Sequence, residues 1–156
     1  MTTAAVVSNA SPLIALEQIG YLHLLERLFG KILVPPAVAR EVAPTVTLPV
    51  WVEQHGLTQA IGPLILGAAL GAGESEAINL ALEIEAQRVI LDDRPARRLA
   101  QALHLPVIGT LGILLAAKRH YLLPAVQPSL DALLHYDFRI APDLYQQILL
   151  DAGEGI

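Results

Sequence analysis

At 156 residues the chain is long enough to bury a core unaided, and its lack of cysteine excludes disulfide scaffolds, zinc–thiolate sites and thiol nucleophiles. A formal net charge of −5 argues against a broad, non-specific duplex-DNA footprint, which needs a basic face, but not against a small acidic site whose cations bring the positive charge. Hydrophobic residues make up 54% and charged residues 16%, which suits a largely buried parallel sheet and leaves apolar helix surface for a homodimer.

The opening MTTAAVVSNASPL lacks the basic region of a secretory signal peptide, and no apolar run reaches the ~18 residues of a membrane span. A cytoplasmic protein without membrane contact is the expectation. Residues 4–8 read as an apolar strand, followed by Asn9, and Ser11 can cap a helix starting at Pro12 whose apolar face carries Leu13, Ile14 and Leu16. Gly20 breaks that pattern before a second helical stretch, 21–29, with Leu22, Leu25, Leu28 and Phe29 at helical spacing, and Gly30 ends it. Residues 31–34 read as a second strand, stopped by Pro35-Pro36, and 37–42 as a helix that carries Glu41 about one turn in.

From 43 to 63 the pattern weakens into an irregular excursion, with or without a short strand or helix of its own. Pro44, Pro49, Gly56 and Gly62 punctuate apolar pieces such as Val50-Trp51-Val52. No basic residues surround Trp51, so it reads as a core or interface anchor rather than a platform for stacking bases. Residues 64–70 predict a turn of helix and Gly71-Ala72-Gly73 a loop. An amphipathic helix over 74–87 follows, with Ala77, Ile78, Ala81 and Ile84 on one face.

The stretch RVILDDRPAR, residues 88–97, then sets a buried strand, Val89-Ile90-Leu91, directly before two carboxylates, Asp92 and Asp93. Pro95 suits the first turn of a helix over 94–103, for which either aspartate can be the N-cap. A fourth strand at 106–108, a helix at 111–120 capped by Thr110, and helices at 126–136 and 142–152 complete the order. The β/α alternation predicts one α/β domain over residues 1–156, built on a parallel sheet with right-handed crossovers.

If the strands are parallel, Asn9 and the Asp92–Asp93 pair end at one edge of the sheet, where open α/β folds bind ligands, and Glu74 at a helix start can reach the same edge. Glu74 and one of the two aspartates should therefore approach each other. Acids gathered there would bind Mg2+ or Mn2+, which take oxygen ligands and keep several waters. Two such ions roughly 4 Å apart can orient a water and stabilise an in-line phosphodiester displacement. Arg94, Arg97 and Arg98 are the candidates for phosphate contacts beside the acids. The five histidines are scattered without metal-ligand spacing.

The strand followed by SNASPLI, the segment Val38-Ala39-Arg40-Glu41-Val42, Gly73-Glu74-Ser75-Glu76-Ala77-Ile78, Ile90-Leu91-Asp92-Asp93-Arg94 with Ala96-Arg97, and Gly109-Thr110-Leu111-Gly112-Ile113-Leu114 occur in order over nearly the whole chain. Together with the closing Leu149-Leu150-Asp151-Ala152-Gly153-Glu154, they resemble a PIN-domain-like family similar to the VapC-type toxin ribonucleases. The resemblance implies a three-layer α/β/α fold with a central parallel sheet, Mg2+- or Mn2+-dependent cleavage of RNA, and a cognate antitoxin as partner. Position by position, it implies catalytic and metal-binding roles for Glu41, Glu74 and Asp92 or Asp93. PIN nucleases usually carry Asp at the end of the first strand, where this chain has Asn9; an amide oxygen can coordinate a cation but adds no charge. The alternative implied is a PIN-like binding module with weakened or lost catalysis. Ser11 matches the hydroxyl the family often carries there, suited to a metal-bound water.

Two other patterns compete. Gly71-Ala72-Gly73 with Asp92 is loosely spaced like a dinucleotide fingerprint, although residues 64–70 make a poor strand and the nearby acids would repel a pyrophosphate. The acid pair and Thr110 are also similar to a phosphoryl-receiver site, except that here the pair follows the third predicted strand rather than the first.

Overall fold

Each strand is two or three residues long and mostly apolar, so none has a stable existence apart from its neighbours. The computed structural model describes residues 4–155. In chain order, β1 (Val6–Ser8) leads to α1 (Ala10–Gln18) and α2 (Leu24–Phe29), β2 (Ile32–Val34) to α3 (Pro36–Val42), and β3 (Val52–Gln54) to α4 (Pro63–Gly67) and α5 (Ala72–Glu83). Then come β4 (Arg88–Ile90), α6 (Arg94–Ala102), β5 (Val107–Ile108), α7 (Thr110–Arg119), α8 (Gln127–His135) and α9 (Pro142–Asp151).

All strand pairs are parallel, in the order β3-β2-β1-β4-β5. The chain winds outward from β1 on one side and returns to start again at β4 on the other, so the order reverses between β1 and β4. Crevices at the carboxyl ends of two such strands are where α/β sheets receive ligands.

Side chains alternate across the sheet and split the core in two. Val6, Ile32, Val34 and Ile90 pack with Leu13, Leu16, Leu25, Ile113, Leu114 and Leu130 from α1, α2, α7 and α8. Val7, Leu33, Val89 and Leu91 face the other way, onto Ile78, Ala81, Ala96 and Ala100 of α5 and α6. The result is the three-layer α/β/α, PIN-like arrangement with a central parallel sheet.

The fifth strand lies in the excursion. β3 pairs with β2, Val52 opposite Ile32, and Trp51 is half-buried against the core as expected of an anchor. The rest of the excursion is tied to α5: Glu83 accepts the Thr58 and Gln59 N–H groups at 3.0 and 2.8 Å, and Asn79 Oδ1 accepts from Gly62 N–H at 3.1 Å.

Several helix starts differ from the sequence expectation, each for a local reason. α1 begins at Ala10, with Asn9 in extended backbone as its N-cap residue, so Ser11 lies exposed in the first turn and is not the cap. Residues 71–73 are not a loop: Gly71 is the N-cap of α5, because Glu74 reaches back to its N–H at 3.2 Å. Thr110 is the first residue of α7, and the extended Gly109 is the N-cap, because the Thr110 side chain is engaged elsewhere. Residues 63–67 are helical, so no strand precedes the Gly71 glycines and the dinucleotide pattern lacks its structural context. Among the described residues, no helix is long and apolar enough to cross a membrane.

Candidate functional site

β1 hands the chain to Asn9, whose backbone N–H extends the pairing by bonding Ile90 O of β4 at 3.0 Å. This pulls the Asn9 side chain inward, to 3% exposure, and its Oδ1 has no hydrogen-bond partner. Buried polar atoms in native folds are nearly always satisfied, and among the described residues the orphans are Asn9 Oδ1 and Ser129 Oγ; of the two, only Asn9 lies at the edge where the acids gather.

That oxygen faces α3 and α5. At buried Gly73, in the first turn of α5, an added Cβ would lie 2.9 Å from Glu41 Oε1, 3.2 Å from Asn9 Oδ1 and 3.4 Å from a Val38 methyl. Only the bare backbone of glycine lets the two oxygens close over this turn. The pairing of α3 and α5 is fixed by Glu76, whose Oε1 accepts the Ala37 N–H at 2.9 Å. Ala37 follows Pro36 in the first turn of α3, where N–H groups lack helical partners.

Glu74 sits in the same turn as Gly73. Burial first, then the negative charge of Asp93 and, more weakly, that of Glu41 push the Glu74 carboxyl above its ordinary range, while the Gly71 N–H opposes them. The expected approach of Glu74 to one of the two aspartates is thus present, and the partner is Asp93. Asp93 is exposed and caps α6 by accepting the Ala96 N–H at 3.4 Å.

Asp92 does other work. Its Oδ1 accepts the Thr110 N–H at 2.7 Å and its Oδ2 the Thr110 hydroxyl at 2.6 Å, joining the end of β4 to the start of α7. Burial raises the Asp92 pKa, while the two Thr110 donors and the Arg97 charge pull against it. Arg97 donates to Leu91 O at 2.9 Å, and glycine at 109 leaves room for this knot: a Cβ there would lie 2.9 Å from Asp92 Oδ1.

The structure therefore brings Asn9, Glu41, Glu74 and Asp93 together and ties Asp92 to Thr110, each of its oxygens keeping a further lone pair. Arg94 is exposed at the first position of α6, beside Asp93, and Ser11 is exposed at the start of α1, beside Asn9. Sequence reasoning missed the crowding at Gly73 and the brace at Glu76, although both lie in the motif Gly73-Glu74-Ser75-Glu76-Ala77-Ile78. The glycine directly before Glu74 was the available signal.

Among the described residues, no three His, Asp or Glu side chains are gathered tightly enough to hold an ion by themselves. What converges is a mixed set: one neutral amide oxygen and the acids Glu41, Glu74 and Asp93. An unpartnered buried oxygen beside an acid pair in mutual repulsion fits a hard divalent cation that keeps several of its waters. The donors fit Mg2+ or Mn2+ better than softer metals, since no thiolate or imidazole is among them.

A family model described as a PIN domain matches residues 5–154. The match spans nearly the whole chain, and the chain belongs to that family. No curated protein and no solved structure matches it.

Proposed function

We propose that this PIN-domain chain, whose fold is of the nuclease type, is a ribonuclease of the VapC-like toxin type that hydrolyses RNA phosphodiesters with Mg2+ or Mn2+, with a cognate antitoxin as partner. The observation that carries the proposal is the unpartnered Asn9 Oδ1 facing Glu41 Oε1 across Gly73, with the Glu74–Asp93 pair alongside. Asn9, Glu41, Glu74 and Asp93 would hold the cation. Once bound, it supplies charge stabilisation at the phosphate and a water of lowered pKa. Glu74, whose carboxyl holds its proton more tightly than usual while no cation is bound, would give it up on coordinating the cation, so metal binding should be weaker at acid pH. Asp93 caps the start of α6, and the exposed Arg94 that follows it can meet a phosphate oxygen. Ser11 presents a hydroxyl at the same edge. Asp92 acts as a brace.

The neutral Asn9 favours a second reading, a PIN-like binding module that keeps the fold with weakened or no catalysis, because one fewer anionic ligand lowers affinity for a divalent cation. The exposed Leu64 and Leu66 of α4 and Leu82 of α5 support a homodimer, and a cytoplasmic setting agrees with an RNA substrate. A strictly monomeric mass by light scattering at micromolar concentration counts against the dimer.

Thermal unfolding in chelator and in Mn2+, with cleavage of a defined single-stranded RNA measured in parallel, tests the function. Selective binding to the native state must raise the Tm, and Glu74→Gln should remove both the rise and the cleavage. A Tm rise without cleavage selects the binding module. No Tm rise overturns the metal site.

A further inference from the structure

Beside the acids, on the β5 side of the sheet edge, a cavity of about 600 Å³ opens between α6, α7 and the segment that joins α8 to α9. Arg94, Arg97 and Arg139 line it, and Phe138, Leu111 and Val107 supply apolar wall. We infer that this cavity is a nucleotide subsite, seating one base and phosphate of single-stranded RNA next to the phosphodiester held at the acids. The inference rests on RNA being the substrate.

Charge is the first support. The chain has ten basic residues against fifteen acidic ones, yet three of the ten meet at this cavity. Among the described residues, the ion pairs are Lys31–Glu53 and Lys118–Glu154, so neither Arg94 nor Arg139 has a carboxylate within 4 Å. Arg97 is held by Leu91 O at 2.9 Å, which orients its planar guanidinium at low entropic cost. Unpaired guanidinium groups in an acidic protein suit an anion arriving from outside.

Shape is the second. An RNA unit joins an anion to a flat apolar face, and single-stranded bases are bound by stacking on aromatic rings and guanidinium planes. Phe138 is half-buried, with part of its ring against the core, and its N–H closes the end of α8 on Leu133 O at 3.0 Å, after Asp137 turns the chain at φ 64°. The volume falls within the range of roughly 300–1,000 Å³ of small-ligand sites. A purely anionic partner would satisfy the arginines but make no use of the apolar wall.

Position is the third. Arg94 follows Asp93 in the chain, and Asp92 lines the cavity, so a strand whose phosphate lies at the acids reaches the arginines with its neighbouring nucleotide.

The test is fluorescence anisotropy with a labelled single-stranded RNA of about ten nucleotides in Ca2+, over a series of salt concentrations, on the full chain and on Arg139→Ser and Phe138→Leu. Arg139→Ser should weaken binding about tenfold and flatten the slope of log affinity against log salt by about one. Phe138→Leu, which keeps apolar bulk in the wall, should weaken binding about fivefold or more, and not at all for an abasic strand of equal length. Both should leave the Tm within about 2 °C and the Mn2+-dependent Tm rise unchanged. Parent-like RNA affinity in both variants overturns the subsite while leaving the ribonuclease proposal standing. A parent chain that binds no RNA overturns both. Arginine-dependent binding of a hexaglutamate peptide, with RNA affinity insensitive to the variants, assigns the cavity to a protein partner and overturns the subsite.

Discussion

Both carboxylate oxygens of Asp92 are taken by one residue, Thr110, through its N–H at 2.7 Å and its hydroxyl at 2.6 Å, whereas the adjacent Asp93 faces Glu74. Two neighbouring aspartates of equal chemistry therefore differ in what they hold. Asp92→Asn leaves an amide NH2 against one Thr110 donor, which costs about 1–3 kcal/mol and lowers the Tm by about 3–10 °C, with the Mn2+ response retained. Asp93→Asn keeps a good N-cap for α6 and removes the charge, so the fold should be nearly as stable and the Mn2+ response should disappear. Calorimetry of both variants in chelator and in Mn2+ checks the pair; the reverse pattern would show that Asp92 is the ligand.

Asn9→Asp adds a negative charge where Oδ1 is buried and unpartnered. In chelator the new carboxylate joins Glu41, Glu74 and Asp93, and like-charge repulsion should lower the Tm. In Mn2+ the same carboxylate is a stronger ligand, so the Tm should rise more than in the parent, and any RNA cleavage should increase with it. Equal Mn2+ responses in the two proteins would show that Asn9 does not touch the cation.

Gly73→Ala sets helix propensity against crowding. Inside a helix, alanine ordinarily gains about 1 kcal/mol over glycine. Here its methyl would press on Glu41 Oε1 at 2.9 Å and Asn9 Oδ1 at 3.2 Å, and relief requires those oxygens to part. The expected outcome is no gain in stability in chelator and loss of the Mn2+-dependent Tm rise. A stabilised variant with an intact metal response would mean that the cation does not sit over this turn.

Acid pH should loosen the C-terminal end through Glu154. Burial works against its charge, but Lys118 Nζ at 2.8 Å and the N–H groups of Val126 and Gln127 at 2.7 and 3.1 Å outweigh it and hold the carboxyl below its ordinary value of 4.5. A depressed folded pKa gives stability that is complete above the unfolded value and is lost as pH falls through the folded one. Glu154→Gln should therefore be less stable than the parent at pH 7, on the order of 2 kcal/mol, with the gap closing below about pH 4.5. Denaturant midpoints of both proteins from pH 3 to pH 7 measure it, and a gap independent of pH would show that the charge contributes nothing.

Much of this protein was already decided by local sequence. Short apolar runs bounded by proline and charge specified four of the five strands, because burial of β-branched and aliphatic residues leaves few other conformations. The order of polar residues behind those runs placed Asn9 and the aspartate pair at one sheet edge, and the ordered motifs carried the family resemblance. Tertiary structure decided the rest. β3 escaped because its strand is stabilised by pairing with β2, and the chain after it by Glu83 and Asn79 more than fifteen residues away, rather than by its own periodicity. The helix starts at Gly71 and Gly109 moved because the Glu74 and Asp92 side chains took over the local polar groups, and the start at Asn9 because its N–H continues the sheet pairing to Ile90 O. The division of labour between Asp92 and Asp93 could not be read from their identical side chains, since it depends on Thr110 arriving from one side and Glu74 from the other. The orphaned oxygen of Asn9 and the crowding over Gly73 arise where α3 and α5 meet the end of β1, and a one-dimensional pattern carries no information on how closely helices far apart in the chain approach.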